Sequence, residues 1–157
     1  MEVKKTDTEI KQCRRGKINT EDYFLNIAKA ISERSSCYYW KVGAVIVNEH
    51  GEIVGTGYNG SADSFSNSCL DCNYCLYEQE HGVKPDGTQE KCAGIHAELY
   101  AMLHAQFAQM HGATIYVYGY DRENNKSMDI YPDPLISKLI RNCGIKQIVT
   151  GRDSIEG

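Results

Sequence analysis

What the chain lacks narrows its class before any motif is read. No apolar run approaches the roughly 20 residues needed to cross a bilayer, and the opening MEVKKTDTEIKQCRRGKIN carries charges where an export signal needs an apolar core. The expectation is a soluble, cytoplasmic protein with no membrane partner. A basic excess is missing too: 17 lysines and arginines against 21 acidic residues give a net charge of -4, with the cations scattered. That leaves no stripe to track a phosphate backbone, so no polymeric nucleic-acid partner is expected. There is no internal repeat. Seven cysteines, an odd count in a chain without an export signal, argue against a disulfide framework and for metal binding.

At 157 residues the chain has the size of one domain and can bury a sizeable core. Residues 1–18 show no apolar periodicity and are expected to form a flexible arm, with Cys13 a bystander, ahead of a single domain over 19–157. Asn19 or Thr20 can cap a helix whose first turn carries Glu21 and Asp22, with Phe24, Ile27, Ala28 and Ile31 on one face. Val42–Val47 and Ile53–Thr56, joined by the turn Asn48-Glu49-His50-Gly51, predict a hairpin. The connection from Tyr58 to Ala93 is long and polar and holds four cysteines, so something should tie it down. A second helical pattern begins at Ile95, with Leu99, Met102, Leu103, Phe107 and Met110 sharing a face and Gly112 as its end. Ala113–Tyr118 predicts a strand, Gly119 to Tyr131 a polar segment, Asp133-Pro134 the start of a helix closed by Gly144, and Ile148–Thr150 a last strand. Strands alternating with helices in this order predict an α/β sandwich with a partly parallel sheet.

Two groups of residues carry chemistry. Gly94-Ile95-His96-Ala97-Glu98 places a histidine and a glutamate at a helix start after a polar loop, where a plain polar first turn is the bland alternative. Cys69-x-x-Cys72-x-x-Cys75 followed by Cys92 is a thiolate cluster suited to a closed structural zinc, and spacing alone selects those four.

The His-x-Glu element, together with Glu21–Ala28, Glu33–Cys37, Val42–Val47 and Thr56–Gly60 upstream and Gly112–Tyr116 and Lys138–Ile145 downstream, resembles the cytidine and deoxycytidylate deaminase superfamily, closest to the deoxycytidylate deaminases. The resemblance covers roughly residues 20 to 150. It implies a cytidine deaminase-like α/β/α sandwich with a mixed central sheet, assembled as a homo-oligomer. His96 would be a ligand of the catalytic zinc and Glu98 the proton shuttle. Asn59, with Tyr58 beside it, would contact the nucleotide near its sugar, a turn with unusual backbone angles being the alternative. Tyr118 and Tyr120 are placed for stacking on a base or for finishing a strand. The resemblance also selects Cys37, Cys69, Cys75 and Cys92 for the structural zinc and leaves Cys72 as an alternate ligand.

The chain departs from the family at the Pro-Cys-x-x-Cys motif that supplies the two remaining catalytic ligands. Registering on Lys138-Leu139-Ile140 puts Pro132 on the proline, Asp133 on the first cysteine and Ile136 on the second. Isoleucine binds no metal, and Asp133 offers either an oxygen or a plain helix cap. Cys143 lies about 10 Å further along the helix and is no substitute. A second metal at His96 and Asp133 therefore stays open, as does a harder ion shared with Glu98, Asp121 and Asp129, for which solvated loop carboxylates are the ordinary reading. Three functions follow: a diverged protein acting on a pyrimidine nucleotide by zinc-dependent deamination of dCMP to dUMP, a catalytically inactive nucleotide-binding or regulatory partner, or an enzyme with different chemistry at a rebuilt site. His50, His81, His104 and His111 have no motif around them.

Overall fold

The computed structural model describes residues 16–61, 68–86 and 92–151. Residues 1–15, most of the expected arm including Cys13, lie outside the described residues. Helix α1, Thr20–Ser32, starts at Asn19, whose side-chain oxygen accepts from the Asp22 N–H at 2.8 Å. Strands β1 (Trp40–Val47) and β2 (Ile53–Tyr58) form the predicted hairpin, each two residues longer at one end than its apolar run. β5 (Thr114–Asp121) pairs antiparallel with β1 along its whole length. Its other edge is shared: β7 (Gln147–Gly151) runs parallel to Thr114–Tyr118, and β6 (Lys126–Met128) runs antiparallel to Gly119–Asp121. The sheet is thus mixed, as the sequence predicts.

Alternation along the two central strands makes a core on each face. Val42, Ala44, Ile46, Ile115 and Val117 pack against α4 (Ala97–His104), α5 (Phe107–Met110) and α6 (Pro134–Asn142). Val45, Val47, Tyr116 and Tyr118 pack against Phe24 and Ala28 of α1. Two helical layers on one sheet give the α/β/α sandwich. Fully burying residues such as Ile46, Ile115 and Ile140 contributes about 1.5–3 kcal/mol each.

Helix α4 lies directly on β2. A Cβ on Gly57 would stand 2.3 Å from the Ala97 carbonyl oxygen and 2.4 Å from the Ala101 nitrogen, and one on Gly55 would stand 2.4 Å from the Ala101 carbonyl oxygen. Glycines opposite alanines let backbone meet backbone, and this contact fixes where the His-Ala-Glu turn sits.

Three segments hold more structure than their sequence pattern shows. The periodic segment from Ile95 is two helices, because Ala105 is extended (φ -91°, ψ 151°) and resets the helical phase. Leu103 and Phe107 consequently face solvent, at 66% and 67% exposure, and Ala97, Ala101, Met102 and Met110 form the buried face. The long connection has structure of its own: helices α2 (Cys69–Cys72) and α3 (Leu76–His81), and a two-stranded pairing of β3 (Gly60–Ser61) with β4 (Gly94–Ile95). The polar segment after Tyr118 is the β5–β6 hairpin, turning at Asn125 in the left-handed region (φ 53°).

Candidate active site and thiol cluster

A cavity of about 290 Å3 opens between the two helix starts and the cysteine-bearing segment. His96 is the N-cap of α4, and its ring makes no capping bond, which leaves it free to face the cavity. Asp133 is the N-cap of α6: its Oδ1 accepts from the Ile136 N–H at 2.8 Å, and its Oδ2 stands 3.5 Å from His96 Nε2. The capping aspartate therefore uses one oxygen on its own helix and turns the other toward the histidine. Ile136, one turn on, is buried in the core with Ile140.

Glu98 also lines the cavity, yet it is only 1% exposed and its Oε1 has no hydrogen-bond partner. Burial raises its pKa above the ordinary carboxylate value; the backbone and His96 oppose the shift, and Asp133 adds to it. A buried carboxyl with one free oxygen is equipped to exchange a proton with a ligand in the cavity.

Asn59 lines the cavity as well, but its amide is already engaged. Oδ1 accepts from the Val42 N–H at 2.8 Å and Nδ2 donates to the Trp40 carbonyl at 3.0 Å. One lone pair and one N–H remain for a ligand. Tyr58 lies outside this cavity, its ring edge-on to Tyr100 at 5.5 Å. Tyr118 and Tyr120 are corrections: Tyr118 is 3% exposed in the α1-side core, with the Lys29 ammonium 5.6 Å from its ring centroid, and Tyr120 packs against the same cluster. Strand parity puts both side chains on the face away from the cavity. Asp121 accepts from the backbone of Glu123 and Asn124 in the hairpin turn, and neither it nor Asp129 lines the cavity. Cavity residues without a sequence signal include Trp40, Leu76, Asp86 and Ile130, which the topology brings together from three separate segments.

Cys37, Cys69, Cys75 and Cys92 line another wall of the cavity, whereas Cys72 does not. Burial pushes the Cys37 and Cys69 thiols up, and the neighbouring cysteines add to both shifts. The Leu76 N–H reaches Cys69 Sγ at 3.5 Å. The four cysteines supply the thiol chemistry that zinc prefers, without standing at ligating distances from one another. No three His, Cys, Asp or Glu side chains among the described residues are arranged to hold a metal ion. At the His96 corner the donors do not make a His/Cys/Cys zinc centre: Asp133 is the residue that faces the imidazole, and Ile136, one turn into α6, is buried hydrocarbon.

A mixed sheet between helical layers, with a His-Ala-Glu helix start facing a second helix start across a cavity, is the architecture of the deaminase fold. The chain belongs to the cytidine and deoxycytidylate deaminase family, matching the profile "Cytidine and deoxycytidylate deaminase zinc-binding region" over residues 18–152. It is 36% identical over 135 residues to the deoxycytidylate deaminase of Mycobacterium phage D29, covering 85% of this chain and 95% of that one. To the deoxycytidylate deaminase of Enterobacteria phage T4 it is 31% identical over 155 residues, covering 80% and 74%. Among solved structures, the apo dCMP deaminase of cyanophage S-TIM5 superposes with a TM-score of 0.58 at 22% identity, over 85% of this chain and 83% of that one. The cytidine deaminase of Burkholderia pseudomallei gives 0.51 at 20% identity, over 87% and 86%. Both share the fold.

Proposed function

We propose that the cavity binds a pyrimidine nucleotide and that the chain does not run zinc-dependent deamination at the rate of an intact deaminase. The observation that carries this reading is the His96 corner, where Asp133 Oδ2 faces the imidazole at 3.5 Å and, among the described residues, no thiolate lies beside it, Ile136 being buried in the core. Without three ligands the water-activating metal has no seat, and general acid–base help from Glu98 supplies only about 10²–10⁴-fold in rate. The nucleotide is supported by family membership and by the cyanophage dCMP deaminase, described in complex with dCMP and dUMP. Cys37, Cys69, Cys75 and Cys92 would hold a structural zinc, which orders backbone that no core covers.

Calorimetric titration with dCMP and dUMP, beside ammonia release from dCMP, tests the proposal. Saturable binding with no turnover is expected. Release of several ammonia per second, abolished by Glu98→Ala, would overturn the inactive reading, and absence of binding by either nucleotide would overturn the ligand. A second reading, altered chemistry on the same nucleotide, is favoured by the unpaired Glu98 oxygen. It predicts a new product from bound nucleotide, lost in Glu98→Gln.

A further inference from the structure

Cys37 sits in the short link between α1 and β1, which Ser35 braces locally, its hydroxyl accepting from the Cys37 N–H and donating to the Trp40 carbonyl, and which distant parts of the chain hold from outside. Three alternate carbonyls of the link accept from one residue, Arg122. Its backbone N–H donates to Tyr39 at 2.9 Å, Nε to Cys37 at 3.0 Å and Nη2 to Ser35 at 3.0 Å. Arg122 opens the turn of the β5–β6 hairpin, 85 residues from Cys37. The next residue, Glu123, pairs with Lys84, whose ammonium lies 4.3 Å from the Tyr39 ring centroid. Glu78 accepts from the Tyr39 hydroxyl, and the Leu70 N–H donates to the Ser36 carbonyl at 3.1 Å. Lys84, Glu78 and Leu70 all belong to residues 68–86, which carry Cys69 and Cys75. The link is therefore gripped on one side by the hairpin turn and on the other by the thiol-bearing segment.

We propose that Arg122 is a positioning residue for Cys37. The hairpin turn holds the Cys37 backbone on the cavity wall that the other three cysteines share, and the zinc affinity of the set depends on that grip. The second clause rests on the structural-zinc reading; the first does not. A guanidinium is the fitting group because its planar fork reaches two carbonyls two residues apart, which the single ammonium of lysine cannot do with the same geometry. Bonds from a charged donor are also stronger than neutral ones. The same hairpin leads into Met128 and Ile130 on the cavity wall, so one element serves both the thiols and the ligand space.

The test needs no metal. Reduced, metal-free protein is alkylated with iodoacetamide, and labelling of Cys37 is followed by peptide mass spectrometry beside Cys143, which has the same intermediate exposure and lies at the end of α6. In Arg122→Ala the Cys37 rate should rise about tenfold or more, the scale expected for losing two charge-assisted bonds, with Cys143 within about twofold of the parent. Arg122→Lys, the milder variant if alanine impairs folding, should fall between parent and alanine. Methylguanidinium added to Arg122→Ala should slow Cys37 labelling again, a rescue that general loosening would not give. In competition with a chromophoric chelator, zinc affinity should drop about tenfold or more. An unchanged Cys37 rate in the folded variants, or Cys37 and Cys143 rising together, overturns the proposal. A selective Cys37 response in a parent that takes up no zinc removes the zinc reading and leaves Arg122 in its role.

Discussion

Replacing Asp133 and Ile136 together by cysteine should turn the His96 corner into a zinc site. A tetrahedral centre with Zn–S near 2.3 Å and Zn–N near 2.0–2.1 Å sets nitrogen and sulfur about 3.5 Å apart; Asp133 Oδ2 stands 3.5 Å from His96 Nε2, which puts position 133 beside the imidazole with a cysteine Sγ one bond short of that oxygen. The metal-free double variant should be weakened on two counts. Losing the Asp133 cap to the Ile136 N–H removes about 1 kcal/mol. Shrinking Ile136, which is 3% exposed, removes about 2 kcal/mol. A total of about 3 kcal/mol lowers Tm by roughly 6–12 °C in a chain of this length. Zinc at a thousandfold excess over its Kd returns about 4 kcal/mol by mass action, enough to restore the parent Tm. Elemental analysis and thermal melts with and without zinc read both quantities. One additional zinc equivalent, lost again in His96→Ala, supports the placement of the two helix starts. A folded double variant that gains no zinc and no zinc-dependent stability would refute it, and with it the register of the chain from Pro132 onward.

The thiol set gives a second prediction: chelation should lower the parent Tm, and Cys92→Ser should lose the metal while Cys72→Ser keeps it, by elemental analysis of purified variants. Gly57→Ala should cost about 3 kcal/mol, because its Cβ would meet backbone atoms of α4 at 2.3 and 2.4 Å; a denaturant midpoint equal to the parent's would mean that α4 does not rest on β2. Asp121 predicts a pH effect. Bonds from the Asn124 side chain, chiefly, hold its pKa below the ordinary 3.8. Its contribution to stability is therefore complete above the ordinary aspartate range and is lost as pH falls through the lowered value. The stability gap between parent and Asp121→Asn should shrink as pH drops below about 4, and a constant gap would remove the carboxylate from the hairpin turn.

The elements legible in the sequence are those whose signal is local. Asn19 caps α1 because asparagine can satisfy an N–H at the helix start, and the β-branched run Val42–Val47 could only be buried as a strand. Asp133-Pro134 marks the start of α6 by the same local logic. The break at Ala105 was not legible, because neither glycine nor proline marks it. Asn125, a residue tolerant of positive φ, was the available hint that the polar segment after Tyr118 turns back as a hairpin.

What the sequence alone determined is the inventory: a His-Ala-Glu helix start, a cluster of cysteines in a long connection, and an aspartate and an isoleucine at the positions that the family resemblance assigns to two thiolates. These follow from residue identity and short-range spacing. Tertiary structure decided which of them share a cavity. Strand parity shows that Tyr118 alternates with its neighbours but not which face of the sheet the site occupies, and the packing of Phe24 and Ala28 of α1 against Tyr116 and Tyr118 settles that. Spacing favoured Cys72 over Cys37, whereas the folded chain brings Cys37 to the cavity wall through Arg122, far away in sequence. Contacts across such distances depend on where the sheet places each loop, and no local pattern encodes that placement.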